Sequence, residues 1–253
     1  KLSVKASQLQ FVHSGVTLED FGNDEVHVCI QSDLEDEFLE HLNVPNFQEA
    51  AELGSLEMEG WCHERLPERL EEMMALRSIV IKASPLRTIP SPPSKLLVLY
   101  LEKTQITTLP PLRGISLKVL QVRSSNLEEL PSLPRSLEYL QLEKSALKYL
   151  PDLMHCEHLK RLSLDGNRLR ELPELPGSLE KISLQDNCLT LPGSFMKLQK
   201  LRSLFLNGNG LTELPSDFGS LKALKELHLE NNKLRSLPES FGDLTELRKL
   251  SLE

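Results

Sequence analysis

The chain has 253 residues, 40% of them hydrophobic, and a formal net charge of −8. That acidic balance argues against nucleic acid and anionic membranes as partners, because both demand a basic stripe. No apolar run is long enough to cross a bilayer and no signal peptide is evident, so membrane insertion is not expected.

Residues 1–52 carry no repeat. Gln8 to Leu18 alternates weakly, and Glu25 to Ile30 reads as a strand. Ser32 to Leu42 reads as a helix, with Ser32 as N-cap, acids in its first turn and Asn43-Val44-Pro45 as its stop. This region is expected to be an N-terminal cap, or a small α+β region, over the apolar rungs that follow.

From residue 53 to residue 253 a leucine ladder runs through the chain. One rung reads Leu159-Lys-Arg-Leu162-Ser-Leu164-Asp-Gly-Asn167-Arg-Leu169, and another reads Leu224-Lys-Glu-Leu227-His-Leu229-Glu-Asn-Asn232-Lys-Leu234. The first leucines fall at Leu53, Leu76, Leu96, Leu117, Leu137, Leu159, Leu179, Leu201, Leu224 and Leu247, a period of 20 to 23 residues. A sustained period of that size marks stacked coils, each burying its apolar face only against its neighbours. The L-x-L core alternates like a half-buried strand. The ninth position of each rung should turn inward. Asn167, Asn187, Asn209 and Asn232 occupy it late in the chain, where an amide can both donate to and accept from neighbouring backbone. Ser84, Thr104, Ser125 and Ser145 occupy it earlier, and a looser ladder is expected there. Trp61 stands in the slot of the first, degenerate rung.

The returns between rungs are of two kinds. Leu130-Pro-Ser-Leu-Pro-Arg-Ser-Leu137 and Leu172-Pro-Glu-Leu-Pro-Gly-Ser-Leu179 carry prolines three apart, which fix φ and remove donors, so these returns should be extended or polyproline-like. Leu214-Pro-Ser-Asp-Phe-Gly-Ser-Leu221 and Leu237-Pro-Glu-Ser-Phe-Gly-Asp-Leu244 can close a short helical turn.

Chemistry is sparse. Glycine-rich phosphate loops and hydrolase or zinc-protease signatures are absent, so no enzyme, no cofactor, no metal and no small-molecule substrate are expected. Met154-His-Cys-Glu-His158 crowds possible ligands together, but zinc needs donors that converge and a distant pair is not evident. It reads as an exposed loop with a half-buried cysteine. Cys62-His63-Glu64 places a nucleophile beside a base, although chain neighbours are expected to point apart. Cys188 reads as a small packing residue beside Asn187. The four scattered cysteines and the lack of any Asn-x-Ser/Thr sequon favour a reducing compartment, hence a cytoplasmic site of action. Lys1 and Glu253 suggest a piece of a longer protein.

Binding potential emerges when the solvent-facing positions are aligned across rungs. One column runs Val98, Val119, Tyr139, Arg161, and the next runs Val80, Tyr100, Gln121, Gln141, Ser163, Ser183, Phe205, His228. Val80, Val98, Tyr100, Val119 and Tyr139 should form an apolar and aromatic patch, bordered by a mostly acidic column that includes Glu102, Glu143 and Asp165. Exposed clusters of this kind mark interaction sites, and aromatics are favoured anchors. Arg161, Phe205 and His228 extend the expected partner-binding face.

The double Leu-Pro units over roughly 90–190 resemble the leucine-rich repeats of secreted bacterial effectors of the IpaH and YopM kind. The longer units are similar to Ras-group intracellular leucine-rich repeats. The resemblance implies an α/β leucine-rich repeat solenoid. Its parallel sheet would line the concave face, and short helices or polyproline-like returns would line the convex face. It implies a scaffold that binds a protein partner, a host protein for a secreted effector working in the host cytoplasm. The alternative is the substrate-recognition region of a larger enzyme, such as a ubiquitin ligase, whose catalytic domain lies outside this chain.

Overall fold

The computed structural model describes residues 2–5, 17–19, 25–29 and 34–252. Near the N-terminus β1 (Leu2–Lys5), β2 (Thr17–Glu19) and β3 (Glu25–Cys29) form an antiparallel sheet in the order β1-β3-β2, so the strand expected from Glu25 is present. The Ser32 cap and most of the alternation from Gln8 lie outside the described residues. Helix α1 (Leu34–Leu42) matches the expected helix and buries Phe38. A second helix, α2 (Phe47–Ala51), was not anticipated. It starts because Asn46 accepts from the Glu49 amide at 3.0 Å while its own amide donates back to the Glu49 carboxylate at 3.3 Å, a reciprocal cap that orients five residues.

Ten strands follow, one per rung. They are β4 (Ser55–Glu59), β5 (Ser78–Lys82), β6 (Val98–Glu102), β7 (Val119–Arg123) and β8 (Tyr139–Glu143). Then come β9 (Arg161–Ser163), β10 (Lys181–Ser183), β11 (Ser203–Phe205), β12 (Glu226–His228) and β13 (Lys249–Ser251). All ten join in sequence order into one parallel sheet. The register keeps Leu99, Leu120, Leu140 and Leu162 opposite one another, and the degenerate first rung still pairs Leu56 with Ile79. These side chains are buried, while Leu250 on the edge strand is 39% exposed. Burying each leucine contributes about 1.5–3 kcal/mol, so the core is a continuous apolar stripe rather than a central globule.

Each coil turns by the same device. The residue before the inward slot has positive φ in nine successive rungs: Gly60, Ala83, Lys103, Ser124, Lys144, Gly166, Asp186, Gly208 and Asn231, with values from 49° to 69°. Only glycine adopts this region without cost, yet six of the nine are other residues. The inward turn of the next side chain therefore outweighs the local penalty. Asn187 shows what is gained: its amide donates to the carbonyls of Leu164 (3.0 Å), Leu184 (3.2 Å) and Gln185 (3.0 Å), and its oxygen accepts from the Leu169 amide at 3.2 Å. Asn167, Asn209 and Asn232 repeat the pattern. The hydroxyl slots are looser, as expected. Ser125 and Ser145 meet through their hydroxyls, with Ser145 also donating to the Glu143 carbonyl at 3.3 Å, and the buried Thr104 Oγ1 has no partner among the described residues. Trp61 fills the first slot, buried, with its indole N–H donating to the Arg65 carbonyl at 3.1 Å.

On the convex side, 3-10 turns form at Glu68–Glu72, Gly193–Lys197, Phe218–Ser220 and Glu239–Asp243, all in the longer coils. The double Leu-Pro returns at 130–137 and 172–179 carry no helix.

Candidate functional site

The concave columns align as the sequence implies. Val98, Val119, Tyr139 and Arg161 are opposite one another on β6 to β9, and Val80 pairs with Tyr100. The five patch residues are half-buried rather than open, and each tyrosine reaches along its own strand to the second residue after it. Tyr100 donates its hydroxyl to Glu102 at 2.7 Å and Tyr139 donates to Gln141 at 2.9 Å. The Tyr100 hydroxyl bond holds the Glu102 carboxyl below its ordinary range, while burial first, then the Glu102 bond, pushes the Tyr100 phenol up.

Cations cap the rings. The Arg161 guanidinium lies 5.1 Å from the Tyr139 centroid and the Lys82 ammonium 5.6 Å from that of Tyr100. A second cluster sits further along: Lys181 lies 4.8 Å from the Phe205 ring, which stacks on His228 at 4.9 Å. His228 is held between Glu226 (3.1 Å) and Glu230 (3.3 Å). The expected site residues thus form two groups rather than one continuous face.

Between the groups lies a hollow of about 330 Å³. Tyr139 and Phe205 stand at its ends, Ser163 and Ser183 form the low floor, Arg161 and Lys181 line one side, and Glu143 and Asp165 line the other. From β8 to β11 is three strand steps, about 14 Å at ordinary sheet spacing. A half-buried polar network sets the acidic side. Ser163 donates to Glu143 at 2.7 Å, and Asp165 accepts from Ser183 at 2.7 Å and from the Gln185 amide at 2.8 Å. Burial pushes the Asp165 carboxyl up, and those hydrogen bonds partly offset it. The cationic side differs. Among the described residues Arg161 and Lys181 have no carboxylate within ion-pair reach, whereas Lys118, Arg123, Arg202 and Lys249 are each paired. Ser163, Ser183 and Asp165 stood in the aligned columns but, like Lys181, were not counted among the partner-binding residues, although two serines between bulky neighbours in one column were a visible signal. Larger hollows of 640 and 700 Å³ run along the convex returns, but no Tyr, Phe or Trp lines either of them.

Three expectations about cysteines need correction. Cys188 is exposed, not a packing residue, because the position after the inward slot points back to solvent. Cys156 is fully buried rather than half-buried; burial, with Asp152 adding to it, pushes its thiol up to about 11, and it donates toward the Pro134 carbonyl at 3.6 Å. Its neighbour His155 bonds the Leu133 carbonyl instead, at 2.7 Å. Cys62 and His63 do not point apart. Their donor atoms and a carboxylate oxygen of Glu37 lie within 4.8 Å of one another, while Glu64 pairs with Arg87 at 3.1 Å.

Comparison with known proteins agrees with this geometry. Two family models described as leucine-rich repeat match residues 200–253 and 158–179. YopM, a leucine-rich effector protein from Yersinia pestis, superposes with a TM-score of 0.67 at 27% identity, over 88% of this chain and 66% of its own. A plant peptide hormone receptor, RGFR1, solved in complex with RGF2, gives a TM-score of 0.61 at 25% identity, over 81% of this chain and 36% of its own. TLR13, solved with ssRNA13, gives 0.67 at 24% identity over 83% and 35%, a likeness of fold alone. The chain spans less than two thirds of the length of each of the three. No curated protein matches the sequence.

Proposed function

We propose that this leucine-rich repeat protein, which resembles bacterial leucine-rich repeat effectors, is a scaffold that grips a partner protein in the concave hollow between Tyr139 and Phe205. One observation carries the reading: two adjacent exposed cations, Arg161 and Lys181, lack carboxylate partners among the described residues and sit between two aromatic ends. An extended segment advances about 3.3 Å per residue and puts alternate side chains on one face. Apolar residues at i and i+4 would then be about 13 Å apart and reach the two rings, and an Asp or Glu at i+2 would meet the cations between them. The solved complex of RGFR1 with RGF2 supports a peptide-like occupant. The likeness to YopM supports the effector reading, with a host protein as partner and the host cytoplasm as the place of action. A second reading, in which this chain is the recognition part of a ubiquitin ligase, rests on the resemblance of the double Leu-Pro units to repeats of the IpaH kind.

The test is a library of extended peptides with apolar residues at i and i+4 and Asp, Glu, Lys or Ser at i+2. Acidic members should bind best, and Tyr139→Ala should weaken them about tenfold, the loss of one ring anchor. Arg161→Glu with Lys181→Glu should reverse the preference while far-UV circular dichroism stays unchanged. Equal binding of acidic and basic members sinks the assignment.

A further inference from the structure

The junction between the N-terminal helices and the first coil holds a cluster that the binding face does not use. Trp61, buried in the first slot, meets Phe38 of α1 edge-on at 6.1 Å and packs against His41 at 5.5 Å and His63 at 4.8 Å. Phe38 is the chain neighbour of Glu37, and Trp61 precedes Cys62 and His63. The aromatic contact therefore fixes how far Glu37 stands from the other two. The Trp61 bond to the Arg65 carbonyl closes the loop that carries Cys62 and His63. As a result Glu37 Oε2 touches His63 Nε2, and one donor atom from each of Glu37, Cys62 and His63 lies within 4.8 Å of the others.

We propose that Glu37, Cys62 and His63 form a binding site for a zinc-class divalent cation that fastens the helical cap to the solenoid. One sulfur, one imidazole nitrogen and one carboxylate oxygen match the donor preferences of zinc. Tetrahedral bonds of about 2.0–2.3 Å place donors roughly 3.3–3.6 Å apart, so the site needs only a modest contraction at Cys62 and a slight parting of Glu37 from His63. Water fills the fourth position. Binding forms a metal–sulfur bond in place of the thiol S–H, and the proton passes to solvent. No oxidation change is involved. Cys62 is exposed and His63 half-exposed, so the cation reaches the site without unfolding. The chain-local segment Cys62-His63-Glu64 conceals the site, because its third ligand comes from α1 and not from Glu64.

The experiment titrates the full chain, under reducing conditions, with Co(II) and then with Zn(II). Co(II) should give a thiolate-to-metal charge-transfer band with tetrahedral visible bands, and one equivalent of Zn(II) should bleach them. At a hundredfold excess over its dissociation constant, Zn(II) should raise the thermal midpoint by roughly 5 °C or more. Cys62→Ser should abolish the charge-transfer band, and Glu37→Gln and His63→Ala should each weaken binding at least tenfold. Cys29→Ser and Cys188→Ser should leave it intact. No cobalt band, a band that survives Cys62→Ser, or wild-type affinity in Glu37→Gln overturns the proposal.

Discussion

At the scale of single residues the inward slot decides how firmly each coil is tied to the one before it. Asn187 satisfies three carbonyls and one amide at once, whereas Thr104 buries a hydroxyl without a partner among the described residues. An orphaned buried polar group costs about 1–3 kcal/mol. Asn187→Ala should therefore lower stability by about 3 kcal/mol, and Thr104→Val, isosteric and free of the orphan, should raise it by about 1 kcal/mol. Urea denaturation of the two variants checks the opposite signs, and a destabilised Thr104→Val would show that its hydroxyl is satisfied in solution. The slot was legible in the sequence because asparagine there recurs at a fixed offset from a leucine triplet. The left-handed residue before it was not. Gly, Ala, Lys, Ser, Asp and Asn all occupy that position, so the conformation comes from the stacking of coils and not from side-chain identity.

At the scale of elements, the register of the repeat strands was legible because the period-two pattern fixes which leucines face inward. Helix α2 was missed because five residues give no periodicity to read. The hollow was missed for a related reason: its ends were visible as aromatics, but its depth depends on two serines being small beside them. The convex turns are closely fitted at one point. A Cβ on Gly219 would lie 1.8 Å from the Ser240 carbonyl oxygen, where the turns Phe218–Ser220 and Glu239–Asp243 meet and Phe218 stacks on Phe241 at 6.1 Å. Gly242 in the next turn has open space around it. Gly219→Ala should push the last two coils apart at a cost of about 3 kcal/mol, and Gly242→Ala should change little. Hydrogen exchange localises the effect: faster exchange over 218–252 in the first variant alone is expected, and equal behaviour of the two would mean the turns can slide.

At the scale of the whole molecule, stability is a sum of neighbour contacts, so the place of a lesson in the stack matters as much as its chemistry. Leu162 is buried on β9 in the middle of the sheet, and Leu250 is 39% exposed on β13. Leu162→Asp should cost more than about 4 kcal/mol and split thermal unfolding into two steps, since a buried unpaired charge interrupts the stack. Leu250→Asp should cost less than about 1 kcal/mol and leave one step. Scanning calorimetry distinguishes them, and a single sharp transition in Leu162→Asp would mean the coils fold as one unit. At the other end of the stack, Trp61 is the only tryptophan in the chain and sits where helix and coil meet. Tryptophan fluorescence, excited selectively over the three tyrosines, therefore reports on that seam, so a red shift that precedes the loss of ellipticity would time the departure of the N-terminal helices in unlabelled protein.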